Sequence, residues 1–316
     1  MGHDVDRTSA VAVPPELVGK LLDAVVRALY KVSWGEARKW IETGKITVDG
    51  ATWSNPLKRV GANASVMLSM SAKRPRPETD LPKGAIVHVD THVVVVNKPA
   101  GISTIPFDET ETGTLDERVR VALAKRAGPG KGGARPALGI VHRLDKETTG
   151  LVVFTRTWLA KEFLTQQFRE HTVYRRYLGI AHGDVTKRTF RSRIMADRGD
   201  GIRGTSRKKG VRDTQGQLAI THVEPVEALR GATLVSCRLE TGRTHQIRIH
   251  LSEAGHPLLG ERVYNRGFAG EEIRAPRMML HAAELGFIHP ATKAEVKWEE
   301  PIPEDMLEVL ARLRKK

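Results

Sequence analysis

The sequence predicts an α+β protein of two domains, and three observations support this fold class. Residues 14–72 contain two short amphipathic helical patterns followed by a strand pattern with a tight turn. Residues 73–84 are rich in proline and charge, which is the composition of a semi-extended linker. Residues 85–316 are dominated by apolar β-branched runs with a few helical patterns between them. A chain of 316 residues is long enough for two hydrophobic cores, so we place the domain boundary in the linker.

The front domain is predicted to follow a mobile tail, residues 1–13, which has no useful periodicity. Two prolines then introduce a helix whose apolar residues recur at helical spacing up to Leu29. A capping box formed by Ser33 and Glu36 starts a second helix, and Gly44 is placed to end it. A hairpin with an Asp-Gly turn completes the domain.

The second domain is predicted to contain several buried strands, which lie at residues 86–90, 92–97, 151–155, 173–183, 219–221 and 234–239. Helical patterns occupy residues 114–124 and 158–168 and the segment after Glu304. The second of these helices would bury one side, which carries Leu159, Phe163, Leu164 and Phe168.

The charge of the chain indicates an anionic polymer or surface as its partner. Fifty-one Lys and Arg residues against thirty-seven Asp and Glu give a net charge of +14, and nucleic acid is the leading candidate. No apolar run approaches the roughly 20 residues that span a bilayer, and the first residues lack the order of a secretion signal. We therefore expect a cytoplasmic protein, monomeric and without a membrane partner.

Neither a disulfide nor a metal site is predicted. The single cysteine, Cys237, lies in an apolar alternation and is expected to be a packed strand residue. Twelve histidines are scattered without an HExxH pattern or a paired ligand spacing. A glycine-rich loop at residues 128–133 lacks the Gly-Lys-Ser/Thr ending of a phosphate-binding loop, so a flexible basic loop is the better interpretation.

The candidate catalytic residue is Asp145. It lies between the glycine-rich loop and the apolar run at residues 151–155, so its carboxylate would sit on a turn beside a buried strand. A carboxylate held there, two residues after Arg143, is well placed to act as a nucleophile or a general base. The alternative is an ordinary Asx turn, because Asp and Gly are common turn formers.

Residues 142–145 read His-Arg-Leu-Asp and are followed by Thr148, Gly150 and Leu151, a pattern that resembles the signature of the RluA family of pseudouridine synthases. Thr149 stands where that family usually has serine, which keeps the hydroxyl. Other blocks are similar in the same order, namely NKPAG at 97–101, VxKxYxAxxxG at 173–183, TGRTHQIRxHL at 241–251, GDxxY at 260–264, LHA at 280–282 and HP at 289–290. Arg175 replaces the usual lysine and Glu261 the usual aspartate.

The resemblance implies a catalytic domain built on a mainly antiparallel mixed sheet with flanking helices. It also implies isomerisation of uridine to pseudouridine in RNA without cofactor or metal. Asp145 would be the catalytic aspartate, either attacking the ribose C1′ or removing the 2′ proton. Tyr177 would stack on the uracil and take the C5 proton, and Arg248 would pair with Asp145. The residues around Arg248 agree, because an arginine bracketed by Ile247 and Ile249 is expected to be partly buried with a carboxylate partner.

Four further residues are assigned to substrate binding. Because a stacked uridine is out of reach, the target must be flipped out, and Arg143 is a candidate to fill the vacated space. Leu280 would form an apolar wall below the base. His142 and Lys98 are assigned to the substrate because they belong to the matching blocks.

The front domain is similar to the S-four-type RNA-binding domain, since a basic second helix ends in the run Gly-Lys-Ile-Thr-Val-Asp-Gly. It departs from that pattern at Leu21, where an arginine is usual, and at Asn63-Ala64. The cations that would contact RNA are Lys20, Arg38, Lys39 and Lys45. The alternative is a small module whose basic residues form a solvated face.

The densest positive stretch runs from residue 187 to 212, with ten cations against Asp197, Asp200 and the adjoining Asp213. Its centre is too polar and glycine-rich to pack, so an exposed loop is predicted in which Arg207, Lys208 and Lys209 contact phosphates. A merely solvated loop is the alternative.

Together these features predict an RNA pseudouridine synthase, with large-subunit ribosomal RNA preferred over transfer RNA as substrate because of the front domain. Two rival classes remain. A non-catalytic RNA-binding or ribosome-assembly factor would fit the charge, but it would not need Asp145, Tyr177 and Arg248 together. A carboxylate-dependent glycosidase or nucleosidase would normally need a second catalytic carboxylate, and none stands out.

Overall fold

The computed structural model describes residues 10–54, 56–72, 80–108, 111–127, 137–205 and 216–314. The chain divides into two compact units, Met1–Glu78 and Thr79–Lys316. Among the described residues, no helix is both long and apolar enough to cross a membrane. The glycine-rich loop at 128–133 lies outside the described residues.

The front unit packs two helices against a small antiparallel sheet. Its strands are β1 (Val11–Ala12), β2 (Ile46–Val48), β3 (Ala51–Thr52) and β4 (Ser65–Leu68), in the order β1-β4-β2-β3, and its helices are α1 (Leu22–Tyr30) and α2 (Trp34–Glu42). Apolar side chains from both helices and from β2 and β4 form one core. This core gives the front unit a hydrophobic interior of its own.

The local signals for α2 and for the hairpin are confirmed. Ser33 Oγ accepts a hydrogen bond from Glu36 N at 3.2 Å, and the Glu36 carboxylate accepts one from Ser33 N at 3.3 Å. Asp49 and Gly50 both have positive φ, 51° and 78°, which is the conformation that a tight two-residue hairpin requires. The turn residues therefore set the register between β2 and β3.

Two predictions for the start of the front unit are wrong. The tail does not extend to residue 13, because β1 pairs with β4 and the Val13 side chain is buried. The first helix begins at Leu22, since Pro15–Leu17 form only a 3₁₀ turn and Gly19 then adopts a left-handed φ of 78°. A left-handed residue ends a right-handed helical turn, and apolar periodicity does not reveal it.

The second unit is built on a ten-stranded sheet. Its strands are β5 (Ile86–Val89), β6 (Val93–Lys98), β7 (Gly139–Ile140), β8 (Thr149–Thr155), β9 (Tyr174–His182), β10 (Arg188–Ile194), β11 (Gln217–Leu229), β12 (Ala232–Leu239), β13 (Leu280–Ile288) and β14 (Glu295–Glu299). Eight run in the order β10-β11-β12-β9-β13-β8-β6-β5, with β14 beside β13 and β7 beside β8. Only the β13–β8 pairing is parallel among the described strands. The predicted mainly antiparallel mixed sheet is confirmed.

In the described parts of the second unit, four helices cover parts of this sheet, namely α3 (Leu115–Ala127), α4 (Trp158–Arg169), α5 (Gln246–Glu253) and α6 (Glu304–Arg314). Apolar residues of α3 and α5 share one core cluster with Tyr177 and Cys237. Residues of α4 and of α6 belong to two other clusters, which contain Val153 and Leu234. Cys237 is fully buried on β12, as predicted.

The apolar face predicted for α4 is wrong at one position. Leu164 is buried, but Leu159 is 69% exposed beside an equally exposed Trp158. The buried face of the helix is formed by Ala160, Leu164 and Gln167, and Leu159 points away from that face because neighbouring helical residues are about 100° apart around the axis.

Glu284 on β13 is a carboxylate whose charge makes stability depend on pH. It is buried and contacts Arg176 and, at 2.7 Å, Lys297. Burial raises its pKa, but hydrogen bonds and charges of the two cations outweigh burial and lower the pKa to about 2. The unfolded pKa is about 4.3. The ionised Glu284 therefore stabilises the fold fully above the unfolded pKa, and this stabilisation is lost as the pH falls towards the folded pKa of about 2.

Glu284→Gln should lower the free energy of unfolding at pH 7 by about 2–3 kcal/mol. The difference from the wild type should shrink as pH falls from 5 to 3, because the Glu284 carboxylate takes up a proton in the unfolded chain while it stays ionised in the folded protein. Denaturant titrations across this pH range measure both values. Glu295→Gln, an exposed residue of the neighbouring strand, is the matched control and should show no trend. A pH-independent difference for Glu284→Gln would contradict this account.

Candidate active site

A pocket on one face of the sheet brings together residues that are far apart in the sequence. It is lined by Asp145 from the β7–β8 connection, Tyr177 from β9, Leu280 from the start of β13 and Arg248 from α5. Arg143 also lines it and is exposed. Five residues predicted from the sequence therefore meet at one place. The order of the strands brings these residues together, because β9 and β8 lie on either side of β13.

The residues on either side of Asp145 are fixed through their backbone. Thr104 Oγ1 donates to Leu144 O at 2.9 Å and accepts from Leu144 N at 3.0 Å. On the other side, Lys146 O accepts hydrogen bonds from Lys98 Nζ and from Gly101 N, both at 2.9 Å. The loop that follows β6 thus holds the loop that carries the carboxylate. Asp145 projects from a rigid support although it belongs to no strand or helix.

Arg248 pairs with Asp145 and is itself held by a second carboxylate. Its Nη1 lies 3.2 Å from Asp145 Oδ2, while Nε and Nη2 donate to the two oxygens of Glu261 at 2.7 and 2.8 Å. Burial opposes the charge on Arg248, but the hydrogen bonds and charge of Glu261, together with Asp145, raise its pKa. Arg248 is therefore a permanent cation with a fixed orientation.

Glu261 completes this arrangement, and its contact with Arg248 is not evident from the sequence. Its side chain is 1% exposed, and its Oε1 also accepts from the backbone N–H groups of Arg262, Val263 and Tyr264. Burial raises its pKa, but the hydrogen bond and charge of Arg248 and these backbone donors lower it overall. A carboxylate anchored in this way can hold Arg248 without moving.

His245 is a second pocket residue whose position beside Asp145 is not evident from the sequence. Its Nε2 lies 3.7 Å from Asp145 Oδ1, and its Nδ1 is 2.7 Å from the hydroxyl of Tyr264. Burial lowers its pKa, against the opposing charge of Asp145, so the ring is neutral at physiological pH. His245 has a left-handed φ of 60° directly before α5, a backbone strain that could not be read from the sequence.

Tyr177 forms a buried wall of the pocket. It lies in the central strand β9, and burial raises the pKa of its phenol above the usual value, despite the opposing charge of Arg175. The phenol is therefore neutral at physiological pH. Its ring and the buried Leu280 give the pocket apolar surfaces beside the charged pair.

The structure does not place Lys98 and His142 where a substrate could contact them, because neither side chain lines the pocket. Their assignment to substrate binding is therefore wrong. Lys98 is 0% exposed, and its ammonium donates to Pro99 O, Ile102 O and Lys146 O. Burial lowers its pKa to about 7. His142 Nε2 accepts a hydrogen bond from Val153 N at 3.0 Å, and its ring stacks on Phe168. Both side chains support the loop that carries Asp145 from the side away from the pocket.

Thr104→Val should reduce the rate of the chemical step by about 10- to 100-fold, because it leaves both backbone groups of Leu144 unpaired and loosens the position of Asp145. Substrate affinity should change little, since Thr104 does not line the pocket. Thr104→Ser keeps the hydroxyl and is the matched control. Single-turnover kinetics separate rate from binding, and equal rates for the Val and Ser variants would show that this hydroxyl does not position Asp145.

Comparisons with known proteins identify the family of this chain. A model of the RNA pseudouridylate synthase family matches residues 92–253. A ribosomal large subunit pseudouridine synthase D of Pseudomonas aeruginosa is 36% identical, over 96% of this chain and 95% of the relative. Proteins of the same name from Zymomonas mobilis and Vibrio vulnificus are 34% and 33% identical, over 95% and 100% of this chain and 95% and 97% of the relatives.

Two solved human structures share the fold. RNA Pseudouridylate Synthase Domain Containing 4 is 24% identical with a TM-score of 0.57, covering 73% of this chain and 94% of that one. RNA Pseudouridylate Synthase Domain Containing 1 is 23% identical with a TM-score of 0.54, covering 73% and 95%. Fold and relatives define an isomerase that acts on RNA. The chain belongs to the RNA pseudouridylate synthase family, which confirms the resemblance to the RluA proteins.

Proposed function

We propose that this protein converts specific uridines of large-subunit ribosomal RNA into pseudouridine and that Asp145 is its catalytic residue. The pairing of Asp145 with Arg248 in a pocket with apolar walls is the observation that carries the proposal. The ribosomal target is supported by relatives named ribosomal large subunit pseudouridine synthase D, which match nearly the whole chain. Such a substrate would place the protein in the cytoplasm, and one copy of the chain supplies the whole pocket.

The geometry leaves one oxygen of Asp145 available for the reaction. Oδ2 accepts the hydrogen bond of Arg248, whereas Oδ1 has no hydrogen-bond partner among the described residues. An ionised carboxylate with one free oxygen can attack the anomeric carbon or remove a proton from the ribose. In either case Arg248 keeps the other oxygen in place, so the reacting atom approaches the sugar in one orientation.

Tyr177 and Leu280 would bind the uracil between them. The phenol of Tyr177 is neutral, so stacking suits it better than removing the C5 proton as a base. Arg143 is exposed at the edge of the pocket and would replace the uridine after it leaves the RNA stack. These roles account for the apolar walls and for the exposed Arg143 near the Asp145 carboxylate.

The front unit is proposed to be an S-four-type RNA-binding domain. Lys20, Arg38 and Lys39 are exposed, and Lys45 donates to Met70 O while remaining partly exposed. Arg38 also pairs with the buried Asp23 at 3.0 Å, which fixes its position. The loop cations Arg207, Lys208 and Lys209 lie outside the described residues, so their contacts with RNA stay a prediction.

Lys20→Gln/Lys39→Gln should weaken RNA binding without changing the rate on bound RNA. If both side chains contact phosphates, the slope of log K against log salt should become shallower by about 1.4 to 1.8, at roughly 0.7 to 0.9 per lost contact. A salt titration of affinity measures the slope. An unchanged slope would show that Lys20 and Lys39 do not contact phosphates and lie on a solvated face.

The proposed target is tested by offering the purified protein large-subunit ribosomal RNA, small-subunit ribosomal RNA and transfer RNA in parallel. Pseudouridine is then located by mass spectrometry. We expect modification of a few uridines in the large-subunit RNA only. Efficient modification of transfer RNA alone would overturn the ribosomal assignment while leaving the isomerase activity intact.

A further inference from the structure

A second open groove lies on the sheet face opposite the catalytic pocket. Arg176 follows Arg175 and precedes Tyr177 in β9, and successive strand residues point to opposite faces. Tyr177 lines the pocket, whereas Arg176 lines the groove. The groove has a volume of about 550 Å³, within the range of about 300–1,000 Å³ that ligand sites occupy.

The side chains of this groove form a row across four strands. Arg176 on β9 is opposite Arg238 on β12, and Arg238 is opposite His222 on β11. His222 is in turn opposite Thr189 on β10. Directly opposed residues of antiparallel strands share a face, so the row runs from the middle of the sheet to its edge at β10.

The charges in the groove are only partly balanced. Arg176 contacts Glu284, and Lys187 contacts Glu224 at 2.6 Å. Arg188 has the ring of Phe190 beneath it, at 4.9 Å, but no carboxylate partner among the described residues.

Arg238 has neither a hydrogen-bond nor an ion-pair partner within the part of the chain that the structure describes. It stands directly across from Arg176, and like charges in that relation repel. An anion between the two strands would relieve the repulsion. Ser236 also lines the groove and its hydroxyl adds a hydrogen-bond donor, whereas the Thr189 hydroxyl already bonds to His222 Nδ1 at 2.9 Å.

Phosphate is the anion that fits these groups. Guanidinium groups bind phosphate oxygens through two parallel hydrogen bonds, and the groove is lined by three arginines, Arg176, Arg188 and Arg238. The groove continues to the edge strand β10, which also carries the exposed Arg191 and the half-buried Arg193, so a chain of phosphates can run along it. The enzyme acts on RNA, which is such a chain.

We propose that this groove binds the sugar-phosphate backbone of a segment of the substrate RNA remote from the modified uridine. RNA bound in the pocket would pass around the β10 edge to reach the groove on the other face. The groove would add affinity for long, folded RNA and contribute nothing to a short stem-loop that occupies only the pocket. Its contacts would carry no base sequence information, because phosphates are the same in every sequence.

The test is the variant Arg188→Gln/Arg238→Gln, with Arg169→Gln/Arg230→Gln as a control that removes the same charge from exposed sites outside the groove. Affinity for a large-subunit RNA fragment and for a short stem-loop is measured over a range of salt. For the groove variant and the long RNA, we expect a loss of about tenfold and a salt slope shallower by about 1.4 to 1.8. Stem-loop affinity and the single-turnover rate on saturated RNA should be unchanged.

Three results would overturn the proposal. The groove variant could lose no more affinity for the long RNA than the control variant. The groove variant could lose affinity for the long RNA and for the stem-loop equally, which would place the contacts at the pocket. Uridine monophosphate or inorganic phosphate could bind in a manner that requires Arg188 and Arg238 while RNA affinity stays unchanged, which would make the groove a site for a small phosphate ligand. Thermal melts of both variants verify that each is folded.

Discussion

Asp145→Asn should reduce pseudouridine formation by at least about 10²- to 10⁴-fold while RNA affinity stays within a few-fold of the wild type. The amide has nearly the same shape but is neutral, so it can neither attack the ribose nor remove its proton. RNA affinity should persist because cations on other segments supply most of the binding. Mass spectrometry of the product and a binding titration measure the two quantities.

Asp184→Asn is the matched control, since this aspartate is exposed and does not line the pocket. It should leave rate and affinity unchanged. Activity of Asp145→Asn within tenfold of the wild type would remove Asp145 from the catalytic role. A parallel loss of RNA affinity would instead show that the carboxylate organises the substrate site.

Arg248→Met should destabilise the fold by about 3–5 kcal/mol, because it leaves the buried carboxylate of Glu261 without its cation. Activity should also fall by about 10²-fold or more, since Asp145 loses the group that orients it. Denaturant titrations give the first value and single-turnover kinetics the second.

The double variant Arg248→Met/Glu261→Gln separates these two effects. The amide oxygen of Gln can still accept the backbone N–H groups of the turn, and no buried charge is left alone. Most of the stability should return, with a coupling free energy of about 1–3 kcal/mol in the double-mutant cycle. Activity should stay low. Recovery of activity together with stability would show that Arg248 acts only as a structural cation.

Local signals made much of the fold predictable. Residues close together in the sequence determine the capping box of α2, the Asp-Gly turn and the β-branched strands, and the structure confirms all three. The pairing of Asp145 with Arg248 was also predictable, because Asp145 follows the His-Arg-Leu pattern and Arg248 lies between two isoleucines. The buried pairing expected for Arg248 is observed, with an 11% exposed side chain and a carboxylate at 3.2 Å.

The missed residues depend on contacts between distant segments. Glu261 is 13 positions from Arg248 and bonds to its guanidinium. Backbone N–H groups of the following turn hold the Glu261 carboxylate in place, and the pattern of side chains does not reveal their direction. The mistaken role of Lys98 has a similar origin. A lysine usually seeks solvent, and only the three-dimensional structure shows three carbonyl groups converging on its ammonium.

The measurement that tests the central claim most directly is release of tritium from RNA labelled at C5 of uridine. Pseudouridine formation replaces the C5–H bond by the new bond to the ribose, so each turnover delivers one label to water while the RNA chain stays intact. We predict stoichiometric release by the wild-type protein, no free uracil, and no release by Asp145→Asn. Free uracil without tritium release would indicate a nucleosidase, and RNA binding without either product would indicate a binding protein and contradict the account.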